Sequence, residues 1–322
     1  MPSLITLRHG VDRKRALSRA WAGVKLHVRA LACPRLTRDW LHLLNSNELM
    51  RQLVHAQPRL VHKVYRPWLS TCFDDQARLA ALGSHYRFAL RQGWGPLLLR
   101  AAHGPVPLCA FDGKSGTPYS VALRAVVPME RDGELVLELR RAGVLVYSAA
   151  FSFLADGGRA VVGIGCIQGP ACGAGLELCR ETTRDLHGLR PKNLLVRLIA
   201  QLGHASGCQW LRLVGNGNRA VVRSRRRGKV LADYDTMWRE LGAEPRSDGD
   251  FEYPCTPLAA PDLEQVPSRK RAEARRRHAL LEQACAALVD CMPAAALTHP
   301  EPLPTATGST IGRATAACAV PN

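Results

Sequence analysis

Between residues 119 and 167 the hydrophobic pattern has a period of two, broken only by short polar runs. No other feature limits the possible folds as much, because a period of two belongs to strands. Residues 119–127 are strand-like, 134–139 alternate in and out, and 144–153 are rich in β-formers. The breaks Arg131-Asp132-Gly133-Glu134 and Arg141-Ala142-Gly143 are turns that link these strands into an antiparallel meander. Residues 160–167 form a further apolar strand, in which Gly163 and Gly165 mark places of close approach by backbone or ligand.

Before this stretch the chain is helical. Leu17, Trp21, Val24 and Val28 recur at spacings of three and four and line one helix face. Asn47 caps the next helix, with Glu48 in its first turn, and residues 74–90 make another periodic segment stopped by Gly93-Trp94-Gly95-Pro96. After the meander come a Gly-rich turn at 168–175, helices over 176–186 and 191–205, and a short buried strand at 210–214. A polar basic segment at 215–230 leads into a helical piece ending Trp238-Arg239-Glu240-Leu241-Gly242. A weak strand pair flanks Ser247-Asp248-Gly249-Asp250, and Ser268 N-caps a basic helix running to about Val289. The reading is an α+β chain: a helical region over 1–100, a core over 101–258, a basic helix over 259–292 and a disordered tail over 293–322.

Hydrophobic residues make up 47 %, which excludes a wholly disordered chain. Lys and Arg number 44 against 27 Asp and Glu, a formal +17, so anionic partners are expected: phosphate-bearing small molecules or an anionic membrane surface. Nucleic acid is disfavoured, because the basic runs lack interleaved aromatics and any known nucleic-acid motif. Early charges (Arg8, Asp12, Arg13, Lys14, Arg15) leave no apolar signal segment, and no stretch is apolar enough to span a bilayer. The expected location is the cytoplasm, including the inner face of the inner membrane. Among 11 cysteines, Cys166, Cys172 and Cys179 are spaced by six and seven, which fits no zinc pattern, so no metal is expected. The cysteines read as free thiols and mostly as small core residues, with Cys172 in the Gly-rich turn as a candidate nucleophile.

The Gly-rich turn carries the most chemistry. Gly169-x-x-x-Gly173-x-Gly175 lies between a strand and a helix, where backbone N–H groups and the helix N-terminus can hold a pyrophosphate. It is not a P-loop, lacking Gly-Lys-Ser/Thr, nor a dinucleotide fingerprint, whose glycine spacing differs. In His187-Gly188-Leu189-Arg190-Pro191-Lys192, Gly188 suits a left-handed C-cap and Pro191 the first turn of the next helix. His187 either complements the preceding helix dipole or transfers a proton, with Arg190 and Lys192 binding an anion. Asn216 and Asn218 follow a buried strand and suit a turn. Arg219, Arg223, Arg225, Arg226, Arg227 and Lys229 form a dense basic segment, either a solvated loop or an anion-binding surface. On the last helix Arg269, Lys270, Arg271, Arg275, Arg276 and Arg277 precede an apolar face of Leu280, Leu281 and Ala284. Basic residues in the first half of a helix oppose its dipole, and membrane-surface docking is one way to offset that.

Two resemblances follow from these residues. The order of strands, Gly-rich turn, helix, strand, Leu-Gly helix and final strand pair is similar to the GNAT acyl-CoA N-acyltransferase fold over roughly 119–256, with Met237-Trp238-Arg239-Glu240-Leu241-Gly242-Ala243 resembling its C-terminal segment. That resemblance implies a mixed, mostly antiparallel sheet flanked by helices. It also implies coenzyme A held at Gln168, Gly169, Gly173 and Gly175, assisted by Arg190 and Lys192. Trp238 stands where that fold usually has a tyrosine acid, and the strand at 160–167 carries no carboxylate base. A second resemblance runs from about 65 to 290. His85-Tyr86, Gly163-Ile164-Gly165-Cys166-Ile167-Gln168-Gly169, Thr182-Thr183-x-x-x-His187-Gly188-Leu189-Arg190-Pro191-Lys192, Asp233-Tyr234-Asp235-x-x-Trp238-x-Glu240-Leu241-Gly242 and Pro267-Ser268-x-Lys270-Arg271 resemble the VirK/YbjX family of Gram-negative bacteria. The family is a domain of unknown function, and the resemblance implies links to virulence, envelope integrity and tolerance of cationic antimicrobial peptides.

Two functions are therefore expected. One is an acyltransferase-like protein passing an acyl group from acyl-CoA or another activated donor to an amine, which His187, Asn216 and Tyr234 orient or deprotonate. The other is a non-enzymatic peripheral protein of the inner membrane that contacts anionic lipid or an envelope-biogenesis partner through Arg225, Arg226, Arg227, Lys270, Arg271, Arg275, Arg276 and Arg277.

Overall fold

The computed structural model describes residues 3–10, 16–170, 174–221 and 232–292, with only the backbone described at 16–20 and 174. Three helices come first: α1 (Ala16–Ala32), α2 (Pro34–Leu44) and α3 (Glu48–Ala56). Pro34 occupies the first turn of α2, where its missing N–H costs nothing, and the buried Leu36, Trp40 and Leu44 recur every four residues. Asn47 accepts the Met50 N–H and caps α3, as its sequence position predicts. A 3-10 helix (Pro58–Tyr65) leads to α4 (Asp75–Arg91), capped by the Asp74 carboxylate on the Ala77 N–H, and to α5 (Gly95–His103).

The strands are β1 (Val106–Asp112), β2 (Pro118–Ala125), β3 (Leu135–Arg141), β4 (Val144–Asp156) and β5 (Arg159–Gln168). All five pair antiparallel in sequence order. Their two tightest turns have left-handed central residues, Ala142-Gly143 and Gly157-Gly158, the geometry that matches the twist of paired strands. β1 extends the sheet earlier than the period of two from residue 119 suggests. Pro107 and a register shift between Pro107 and Cys109 blur its alternation.

Helices α6 (Ala174–Asp185) and α7 (Pro191–Ala205) then cross over to β6 (Trp210–Leu213), which pairs parallel with β5. Helix α8 (Tyr234–Leu241) precedes β7 (Glu244–Pro245) and β8 (Phe251–Pro254), and α9 (Ser268–Cys291) closes the described chain. The sheet order is β1-β2-β3-β4-β5-β6-β8-β7. This is the α+β fold read from the element order, with the mixed, mostly antiparallel sheet that the acyltransferase resemblance implies. Helix α8 ends on Gly242 at φ 88°, a left-handed cap.

One expectation needs correction. Pro267, not Ser268, occupies the N-cap of α9, and no side chain caps that helix. The stripe Trp21, Val24 and Val28 lies on one face of α1 as its spacing predicts, and that face is exposed, while Leu26 and Ala30 on the other side are buried. The spacing predicts a helix face correctly, but burial depends on what lies opposite. The expected tail, Cys172, Gly173, Arg223, Arg225, Arg226, Arg227 and Lys229 lie outside the described residues.

The core joins the N-terminal helices to the sheet. Phe153 of β4 stacks on Phe88 of α4 at 4.4 Å and meets Trp94 edge-on at 5.1 Å. Beside it, buried Lys63 donates to Glu134 Oε1 at 2.5 Å, and the Tyr86 hydroxyl donates to the other oxygen of the same carboxylate. His85 accepts the Phe153 N–H at 3.2 Å, and burial pushes its pKa down to about 3, so it is neutral. His85 and Tyr86, singled out in the sequence, thus lock α4 to the sheet.

Candidate functional site

The parallel pairing of β5 and β6 covers only Val161–Ile164 against Trp210–Leu213, with Val214 N–H bonding the Ile164 carbonyl at 3.1 Å. Beyond it the two strands part. Tyr234, at the start of α8, fills the gap: its hydroxyl accepts the Ile167 N–H and donates to the Ile167 carbonyl, both at 2.7 Å. Trp238 follows one turn later, wholly buried, with its indole N–H on the Val214 carbonyl at 3.0 Å. Asn216 is held on both sides of its amide. Its NH2 donates to Asp233 Oδ1 at 2.6 Å and its oxygen accepts the Tyr234 N–H at 2.9 Å. The polar groups of Asn216 and Tyr234 therefore hold the end of β6 to α8.

Arg219, from the basic segment read as a solvated loop or an anion-binding surface, is buried, with its guanidinium 3.9 Å from the Tyr234 ring centroid. Nearby Asp132 is buried, and its pKa is raised to about 6 by desolvation, partly countered by Arg219, Arg131 and Lys63. The close approach expected at Gly165 is by backbone: a Cβ there would lie 2.1 Å from the Asp132 carbonyl oxygen. An acid whose folded pKa is raised stabilises the fold fully only below its unfolded value, and that contribution is lost as pH rises through about 6. The Asp132→Asn variant is expected to gain on wild type by about 1–3 kcal/mol between pH 4 and pH 8. Urea unfolding at the two pH values measures this, and a pH-independent difference between the chains would refute it.

The glycines of the turn after β5 serve packing in the described residues. A Cβ on Gly169 would lie 2.5 Å from the Tyr147 ring, and one on Gly175 would lie 2.7 Å from Pro170. Gln168 is exposed at the end of β5, opposite Ser148.

A cleft lies elsewhere, at the N-terminal end of α7. His187 and Gly188 both adopt left-handed backbone (φ 53° and 79°), which turns the chain sharply between α6 and α7. This corner, α7, α9 and the segment around Ala259 and Pro261 enclose a cleft of about 500 Å³, within the range of small-molecule sites. Arg190, Asn193 and Arg197 line it from α7, and Arg277, His278 and Leu281 from α9, with no acidic residue in the lining. Arg190 ion-pairs with Glu240 of α8 at 2.8 Å, and Lys192 approaches the same carboxylate at 3.7 Å. Arg197 and Arg277 have no such carboxylate among the described residues, and the Arg197 Nε is buried without a hydrogen-bond partner. Desolvation lowers the pKa of His187, with Arg276 and Lys114 adding to it against Glu273 and Asp185.

The six candidate positions that bear most on chemistry thus separate into two places. Asn216 and Tyr234 lie at the end of β6, whereas His187, Arg190, Lys192 and Arg277 gather around the α6–α7 corner. On α9, Lys270, Arg271, Arg275 and Arg276 point to solvent, and Arg277 turns into the cleft. Sequence reading missed Asn193 and Arg197, although their spacing of four places two polar groups on one face of α7. Among the described residues no group of three or more His, Cys, Asp or Glu is arranged to hold a metal.

The family profile of a protein of unknown function, DUF535, matches residues 15–289, and the chain belongs to that family. This is the VirK/YbjX group that the sequence motifs resemble. The chain is 26 % identical to the uncharacterized protein YbjX of Escherichia coli K12 over 265 residues, covering 80 % of this chain and 79 % of that one. An uncharacterized protein of Haemophilus influenzae is 33 % identical over 140 residues, 43 % of this chain and 45 % of that protein. A Mannheimia haemolytica protein named membrane protein LapB is 27 % identical over 188 residues, 54 % of this chain and 78 % of that one. In three dimensions the chain is similar to a cAMP-binding acyltransferase from Mycobacterium smegmatis at a TM-score of 0.27 and 14 % identity, over 65 % of this chain and 60 % of that one. At that score the likeness is distant. Among the described residues no helix is long and apolar enough to cross a membrane.

Proposed function

We propose that the cleft between α7 and α9 binds a phosphate-bearing small molecule of the acyl-CoA class, and that the protein acts as an acyltransferase on that donor. The observation that carries this reading is the pair Arg197 and Arg277, two guanidinium groups without a carboxylate among the described residues, facing a cleft of about 500 Å³. An arginine in that state is best satisfied by an anion with two acceptor oxygens, such as a phosphate. Arg190 and Asn193 at the start of α7 add donors beside the positive end of the helix. His187, next to the lining residue Gly188 and with its pKa lowered by desolvation, is a group that can accept a proton from an incoming amine. The order of elements from β2 to β8, with its parallel β5–β6 pair inside an otherwise antiparallel sheet, supports the acyl-transfer part.

Thermal unfolding with coenzyme A, acetyl-CoA and a long-chain acyl-CoA, against ATP at matched ionic strength, tests the proposal. At about 100 times its dissociation constant the ligand adds roughly 2.7 kcal/mol, a shift of a few degrees for a chain of this size. The shift is expected to vanish in Arg197→Ala and in Arg277→Glu. Equal stabilisation by ATP would remove the acyl-CoA assignment, and no response to any of the four would remove the cleft as a ligand site.

A further inference from the structure

Helix α1 has two apolar faces. Leu26 and Ala30 are buried against the rest of the N-terminal region. On the opposite side Trp21 is 62 % exposed, Val24 52 %, Val28 60 % and Leu31 80 %. At about 100° per residue these four side chains fall on one stripe roughly 80° wide. A continuous apolar stripe left in water on a helix that already has a core face marks an interaction surface.

Charge identifies what covers it. Lys25 and Arg29 are exposed along one edge of the stripe, with Lys25 Nζ lying 5.1 Å from the Trp21 ring centroid. Between Ala16 and Ala32 there is no acidic residue. A second copy of the helix facing the first would set like charges together with nothing to pair them, which is unfavourable along a helix pair. An anionic bilayer satisfies both features: the headgroups take Lys25 and Arg29, and the apolar boundary takes the tryptophan and the aliphatic side chains. The helix has 17 residues and is not apolar enough to span, so the fitting orientation is in the plane of the interface.

We propose that α1 is a membrane-docking helix that inserts Trp21, Val24, Val28 and Leu31 shallowly into an anionic lipid surface. The inference rests on a surface separate from the α7–α9 cleft, and it gives a peripheral location a different basis from the basic side chains of α9.

Vesicle co-sedimentation of the full chain tests it, using phosphatidylcholine alone and equal parts phosphatidylcholine and phosphatidylglycerol. Binding is expected only to the anionic vesicles, together with a blue shift of tryptophan emission. Trp21 supplies that shift, because Trp40, Trp68, Trp94 and Trp238 are buried and Trp210 is half-buried. Trp21→Leu is expected to retain binding and lose the shift. The combined variant Val24→Ser, Val28→Ser, Leu31→Ser is expected to bind at least about tenfold more weakly with unchanged thermal unfolding, since all three positions are exposed. Arg197→Ala, which disables the cleft, is expected to bind vesicles as wild type does. Three outcomes would overturn the proposal: wild-type binding by the triple serine variant, equal binding to neutral vesicles, or a wild-type dimer in light scattering that the triple variant dissociates.

Discussion

Glu134→Leu is expected to destabilise the protein by about 3–5 kcal/mol, because it strands a buried cation. Lys63 is 4 % exposed and Glu134 1 %, and the Lys63 ammonium has the Glu134 carboxylate at 2.5 Å as its counter-ion. Its other recorded contact is the Gly133 carbonyl at 3.4 Å. Tyr86 loses its acceptor in the same substitution, and burial together with Glu134 already holds that phenol far above its ordinary pKa. The pair connects the 3-10 helix at 58–65 to the start of β3, so its loss loosens the N-terminal region from the sheet. The double variant Lys63→Met, Glu134→Leu is expected to recover most of the loss, leaving about 1–3 kcal/mol for the unpaired Tyr86 hydroxyl. Urea unfolding of the four chains closes the cycle. Simple additivity of the two single losses would show that the ion pair does not act as a unit.

A comparable loss, about 3–5 kcal/mol, is expected for Arg212→Leu. Arg212 on β6 donates through Nε to Asp250 at 2.8 Å and through Nη2 to Asp248 at 3.0 Å, with Asp156 at 3.4 Å from Nη1. Asp250 is fully buried and also accepts the Gly215 N–H at 3.1 Å and the Asn218 amide at 2.9 Å. Removing the guanidinium leaves a buried carboxylate without a counter-charge just where β6 turns toward α8. Burial alone would raise the Asp248 pKa, but Arg212, the Asp250 N–H and Arg246 hold it below its ordinary value. A depressed acid stabilises the fold above its unfolded pKa of about 4, and that contribution is lost as pH falls below it. The gap between wild type and Arg212→Leu is therefore expected to narrow at acid pH. Arg212→Lys is expected to restore only part of the loss, since one ammonium cannot fork to two carboxylates. Thermal unfolding at pH 7 and pH 3.5 decides it, and a gap that widens at acid pH would refute the assignment.

The position of the cleft explains why its chemistry is hard to read in one dimension. His187, Gly188, Arg190 and Lys192 stand out because a helix end, a left-handed glycine and a proline N-terminus occur within six residues. Arg197 and Arg277 do not stand out, each being one arginine among many. They become distinctive only where α9 packs on α7 and both lack a carboxylate among the described residues. Tyr234 shows the reverse. Its place beside Asp233 and Trp238 suggests a working hydroxyl, yet the tertiary structure engages that hydroxyl with the Ile167 backbone.

Periodicity and turn chemistry by themselves determined the helical start, the antiparallel meander and the crossover to a buried strand. These depend on contacts between neighbours in sequence: a cap one turn away, a left-handed residue in a hairpin, alternation along a strand. Which apolar stripe is buried, which arginine keeps an ion pair, and which polar group meets open space were decided by the tertiary structure. Trp21 and Trp40 obey the same helical spacing, but one meets the core and the other meets water. Burial and charge compensation depend on what the rest of the chain brings opposite a residue, and no local pattern contains that information.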